Sequence, residues 1–178
     1  MVKLLILLTA IMSVSESHAQ TPGSAAAPCA DPVFRQMDFW VGHWDLSWTN
    51  ADGSAGKGQN LISKDEYGQC VIYERFTSEQ FKGMSVSTYH QPTGVWRQTW
   101  VDDTGGYFAL SGGPVHGDSA VFELRNTRLK KSEPQLRMIW EKVTDESLIW
   151  RWQSLPPDAD ASTASWNDRW IIYYERID

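Results

Sequence analysis

Glu74 is the side chain in this sequence best placed to do chemistry. It sits in the alternating run Ile72-Tyr73-Glu74-Arg75-Phe76, on the face it shares with Ile72 and Phe76. Turned inward, that face would desolvate the carboxyl, raise its pKa and suit it to general acid/base work. The commoner arrangement is a strand carboxylate paired to an arginine, and Arg97 and Arg151 are the available partners. Asp102, which ends the run from Trp96, is the second acid/base candidate. Nucleophilic chemistry finds no support: there is no nucleophile elbow, glycine-rich phosphate loop or Ser/His/Asp spacing. His43, His90 and His116 each read as strand-end or turn residues, and none forms a metal-ligand pair. No metal site and no cofactor are expected. His116, in Gly112-Gly113-Pro114-Val115-His116-Gly117, is the best-placed haem ligand, but a lone histidine is usually structural or solvated.

Tryptophan is the second signal. The chain carries 10 Trp, 6 Tyr and 6 Phe, wide apolar surface that must fill a core, line a pocket, or both. A period of two places Trp96, Gln98, Trp100 and Asp102 on one face of their segment. Leu148, Trp150 and Trp152 share a second face, and Trp166, Asp168, Trp170, Ile172 and Tyr174 a third. With these faces inward, Trp96, Trp100, Trp150, Trp152 and Trp170 would wall a chamber for a small hydrophobic or aromatic ligand. Gln98, Asp102 and Asp168 would be its polar anchors. A solid core of packed indoles is the competing arrangement, and the pattern leaves both open.

The elements that must position these residues are strands. Alternating runs cover 44–48, 57–66, 70–77, 83–90, 95–101, 107–111, 120–125, 136–143, 148–154 and 166–176, separated by turn residues. About ten strands at near-regular spacing mark a sandwich or a single antiparallel up-and-down β-barrel, and a barrel leaves no edges on so aromatic a sheet. A short N-terminal helix is expected over 31–37, with Asp31 as N-cap and Pro32 at its first position. The Pro/Asp/Ala/Ser-rich stretch 155–165 reads as a surface loop, with the possibility of a flap over one barrel end.

Lys3, the apolar run 4–14 and Ser17-His18-Ala19 have the order of a secretory signal peptide. The run is too short for a spanning helix. The expected organisation is a signal peptide at 1–19, a disordered leader at 20–30 and one domain at 31–178, located in the periplasm or secreted. In an oxidising compartment Cys29 and Cys70 are expected to form a disulfide. The net charge of −6 and the lack of a Lys/Arg stripe argue against nucleic acid and anionic membranes. The basic cluster Arg128, Lys130 and Lys131 reads as a solvated turn. Oligomeric state stays open.

The segment Asp38-Phe39-Trp40-Val41-Gly42-His43-Trp44-Asp45 resembles the opening of lipocalin-like (calycin-type) domains of unknown function in bacterial exported proteins. Lipocalins carry a Gly-x-Trp at the first strand, its indole plugging the closed barrel end; Gly42 and Trp44 fit that structural role. Gly68-Gln69-Cys70-Val71-Ile72-Tyr73-Glu74-Arg75, the stretch from Gly83-Met84-Ser85 to Trp96-Arg97-Gln98-Thr99-Trp100-Val101-Asp102, and Tyr174-Glu175-Arg176 look like later parts of the same family. The resemblance implies a lipocalin-like barrel and leaves the activity unassigned. The nitrobindins, a related-looking barrel family, bind haem through one histidine, but this chain lacks their full glycine-rich opening motif.

Three functions follow from these features. The first is an exported binding protein for a small hydrophobic or aromatic molecule. The second is a cofactor-free lyase, isomerase or cyclase using Glu74 or Asp102. The third is a cell-envelope interaction module, which requires an exposed apolar patch.

Overall fold

The computed structural model of the chain describes residues 29–64, 69–115, 117, 120–128 and 130–177. The signal peptide at 1–19, most of the leader and His116 lie outside the described residues. Ten strands run in chain order: β1 (Gly42–Thr49), β2 (Ala55–Ser63), β3 (Val71–Ser78), β4 (Lys82–His90), β5 (Val95–Asp102), β6 (Tyr107–Pro114), β7 (Ala120–Asn126), β8 (Gln135–Glu141), β9 (Ser147–Leu155) and β10 (Asn167–Arg176). Each pairs antiparallel with the next, and β10 returns to β1, so the sheet closes into an up-and-down barrel. The sandwich alternative is thereby excluded.

Alternation drives this architecture. In β1, Trp44, Leu46 and Trp48 are buried while Asp45, Ser47 and Thr49 are exposed. In β5, Trp96, Gln98 and Trp100 are buried while Arg97, Thr99 and Val101 are exposed. Turn chemistry sets the hairpins. Between β1 and β2, Asp52 Oδ1 accepts bonds from the Ser54 N–H and hydroxyl. Between β5 and β6, Asp102 does the same for Thr104. Such side-chain oxygens take over the turn's backbone donors and fix hairpin register.

The N-terminal helix is shorter and more divided than 31–37 implied. It is two 3₁₀ turns, Pro32–Arg35 and Asp38–Trp40, and Asp31 caps the first by accepting from Val33 N at 2.9 Å. The break carries Met37 and Trp40, both fully buried, into the near end of the barrel. Two attachments hold this plug. Cys29 is disulfide-bonded to Cys70, just before β3. Lys64, just after β2, donates to Phe34 O at 2.7 Å and to the Asp38 carboxylate at 2.6 Å.

Arg176, at the end of β10, locks the same end. Its guanidinium lies 4.0 Å from the centre of the Trp44 ring. It donates to Val41 O at 2.9 Å, Phe39 O at 3.4 Å and Asp145 O at 2.6 Å. Trp44 in turn donates to Trp40 O at 2.9 Å. Gly42, at φ +148°, adopts a backbone conformation that other residues rarely take, and its missing β-carbon leaves room for the Arg176 guanidinium. Arg176→Met keeps the aliphatic stem but loses the ring contact and three carbonyl bonds. It should cost about 2–3 kcal/mol in urea denaturation while leaving the far-ultraviolet circular dichroism of the sheet intact.

Candidate functional site

The interior is unequal around its circumference. β2, β3 and β4 present Gly58, Asn60, Glu74, Ser85 and Ser87 inward, alongside Ile62, Ile72 and Phe76. β5, β6, β9 and β10 present Trp100, Phe108, Trp150, Trp152 and Trp170. A cavity of roughly 270 Å³ lies between these walls, lined by Glu74 and Phe76 on β3, so the barrel is not filled solid. Its deep part reaches Trp40, Met138 and Tyr174, against the plug. Its mouth is flanked by Phe81, from the β3–β4 connection, and by Asp102 at the end of β5.

The aromatic walls brace one another. Phe76 stacks on Phe81 at 5.0 Å and meets Trp170 edge-on at 6.0 Å. Trp100 stacks parallel to Phe108 at 5.9 Å, and Phe108 packs on Trp152 at 5.0 Å. Gly83 lets the Trp100 indole lie against β4, where a β-carbon would overlap it.

The polar side of the cavity is built around Glu74, which is buried. Asn60 Nδ2 donates to its Oε1 at 2.7 Å and the Ser85 hydroxyl to its Oε2 at 2.6 Å. Gln98 Nε2 donates to Ser85 Oγ at 3.0 Å, and Asn60 Nδ2 also reaches the Tyr174 hydroxyl at 3.1 Å. Burial pushes the Glu74 carboxyl up to about 7, with the Ser85 and Asn60 bonds pulling the other way. Burial, and next the charge of Glu74, push the Tyr174 hydroxyl far above its ordinary range. Gln98 Oε1 and Asn60 Oδ1 are buried acceptors without a hydrogen-bond partner.

The site residues expected from the sequence separate into three groups. Gln98, Trp100, Asp102, Trp150, Trp152 and Trp170 all line the cavity. Trp96 does not: its indole donates to Gln36 Oε1 at 3.0 Å and packs against Tyr89 and Phe122 in the plugged end. Asp102 lines the mouth, but its oxygens are committed to Trp100 Nε1, Thr104 and Gly106 N. Those bonds, Thr104's first, hold its carboxyl down at about 2. It is a turn-forming carboxylate held in its ionised form.

Two expectations are corrected. Glu74 has no arginine partner, because Arg97 points outward from β5 and Arg151 binds Glu141 and Asp168 on the outer wall. Asp168 is not an interior anchor. A bulge between Asp168 and Trp170 inserts Arg169 and breaks the period of two. Asp168 therefore faces outward and accepts from Gln153 at 2.6 Å and Arg151 at 2.8 Å. Trp166 likewise lies outside, 4.2 Å under the Arg137 guanidinium.

Asn60 and Ser85 were missed as partners of Glu74, and Tyr174 as the second partner of Asn60. Their inward parity was readable, but their meeting depends on inter-strand register: Glu74 opposes Ile62 on one side and Ser85 on the other. Phe76, Phe81 and Phe108 also complete the cavity.

Among the described residues, no His/Cys/Asp/Glu group is arranged to hold a metal ion. No helix among them is long and apolar enough to cross a membrane. Among the described residues the outer wall carries an apolar row across the five strands β2–β6, Leu61, Met84, Val101 and Tyr107, interrupted by Arg75 on β3. No protein-family model matches the chain, and no curated protein matches it by sequence.

The Glu74 environment has a direct consequence for stability. Its carboxyl titrates near 4.5 when unperturbed and near 7 when folded. Between those values the folded chain holds a proton that the unfolded chain has released. Stability from this group is therefore present at low pH and lost as pH rises through about 7, by up to about 3 kcal/mol. Glu74→Gln removes that loss. Urea midpoints should show the variant more stable than the parent at pH 8, with the gap closing toward pH 5.

Proposed function

We propose that the protein is an exported carrier that holds one small, largely apolar or aromatic molecule inside its barrel. The observation that carries this reading is the cavity. It is single-ended and aromatic-walled, and it has a buried polar patch whose Gln98 Oε1 lacks a partner. A few fixed polar groups in an apolar enclosure orient a ligand, while the walls provide most of the favourable burial. Export is supported by the signal-like order of residues 1–19 and by the Cys29–Cys70 disulfide. The lipocalin-like resemblance is supported by the up-and-down barrel and by Gly42 and Trp44 standing at its plugged end.

Acid/base chemistry on the bound molecule is a second reading. Glu74 favours it, as a buried carboxyl poised near neutrality beside an apolar space. Under that reading Glu74→Gln retains binding and loses turnover.

Binding is tested on the mature protein, purified gently after export, by native mass spectrometry and by quenching of tryptophan fluorescence with indole. A discrete excess mass lost on denaturation, or saturable quenching, is the expected result. Trp152→Ala should weaken indole binding about tenfold by removing one wall. A clean apoprotein mass together with no quenching at millimolar indole would end this reading.

A further inference from the structure

We propose that the molecule held in the barrel is a protonated amine on an apolar body, its N–H⁺ group seated at Glu74 and Gln98 between aromatic faces. This rests on the carrier reading above and specifies the charge and hydrogen-bonding character of the occupant.

The lining is one-signed. Among the described residues its ionisable side chains are Glu74, Asp102 and Tyr174, and none of the lining is Lys, Arg or His. Arg75 and Arg97 point out of the barrel, and Arg176, two residues from Tyr174, is held over the Trp44 ring at the plugged end. The remaining wall is dominated by the π faces of Phe and Trp, which attract a cation and repel an anion.

The hydrogen bonds run in one direction. Gln98 donates to Ser85, Ser85 donates to Glu74, and Asn60 donates to Glu74 and Tyr174. The open acceptors are Gln98 Oε1 and the carboxylate lone pairs that Asn60 and Ser85 leave free; the open donors beside them are the second Gln98 Nε2 hydrogen and the Tyr174 hydroxyl hydrogen. The unpartnered N–H in the lining, on Trp40, lies beside the Tyr174 oxygen. A site offering acceptors, negative charge and aromatic faces is complementary to an ammonium bearing N–H bonds. A neutral hydrocarbon would leave Gln98 Oε1 without a partner, and a carboxylate ligand would face both Glu74 and Asp102.

The buried carboxyl fits the same occupant. Alone in the cavity, Glu74 ionises only near neutrality. A bound ammonium supplies the missing counter-charge and draws the group into its ionised form, so binding releases a proton. Of the other titratable groups facing Glu74, Tyr174 stays protonated throughout the neutral range and Asp102 stays ionised.

The test is isothermal titration of the disulfide-bonded mature protein with 2-phenylethylamine, 2-phenylethanol and 3-phenylpropionate. These probes share a ring and differ in the charge of the head group. The amine should bind at least about tenfold tighter than the alcohol at pH 7.5, with the propionate weakest. Its affinity should rise several-fold from pH 6 to pH 8, and its heats should depend on buffer ionisation in the sense of proton release. Alcohol binding should show neither rise nor release. Glu74→Gln should erase the amine preference while keeping the alcohol. The wild-type pH dependence and buffer heats decide the matter even if that variant fails to fold. If the alcohol or the propionate binds as tightly as the amine, and Trp152→Ala weakens that binding, the carrier reading stands and the cationic occupant is rejected. If none of the three binds at millimolar concentration, both fall.

Discussion

The return of β10 onto β1, sealed by Arg176 over Trp44, is the constraint on which the rest of the molecule depends. Without it the sheet would have two edges and no inside. With it, the inward parity of every strand converges on one axis, and residues that are merely alternate in sequence become neighbours across a lumen. The seal also makes the lumen blind at one end. Arg176 binds the backbone of the segment that carries Trp40, so closing the wall and plugging the base are one event.

The inside of the barrel is then shaped by a difference between its two sides. Five large aromatics on β5, β6, β9 and β10 face Gly58, Asn60, Glu74 and Ser85 on β2–β4. An apolar side chain in place of Glu74 would avoid the cost of desolvating a carboxyl. The chain instead spends part of its stability on a cavity and an unpaired buried acid. Departures of that kind from the best-packed arrangement concentrate where a protein meets another molecule.

Much of this was legible in the sequence because strand parity is a simple code. The alternation around Trp44, Trp96 and Trp150 located the strands to within a few residues, and Cys29 and Cys70 pair as their number and compartment suggested. Glu74 stood out because it shares parity with Ile72 and Phe76. What parity cannot encode is register and interruption. Asn60 and Ser85 reach Glu74 only because of how β2, β3 and β4 slide past one another. The bulge at Asp168 reverses the face of everything before Trp170, and nothing in the local sequence marks it. Depth along the axis is also invisible to parity: Trp96 and Trp100 share a face, yet one lies in the packed base and the other lines the cavity. Asp102 was read as a possible acid from its type alone, whereas the turn Asp102-Asp103-Thr104-Gly105-Gly106 already contained its partners.

The seal has a further meaning for how the chain folds. The bond from Arg176 to Val41 O joins residues 135 positions apart, and β1 meets its second neighbour only when β10 is available. Local hairpins can form one after another as the chain is made, but ring closure is the most non-local step in the structure and carries the largest loop-closure entropy. Until the C-terminal strand is free to dock, the polypeptide remains an open ribbon with its aromatic side uncovered. Completion of the native state is therefore tied to the docking of β10 against β1.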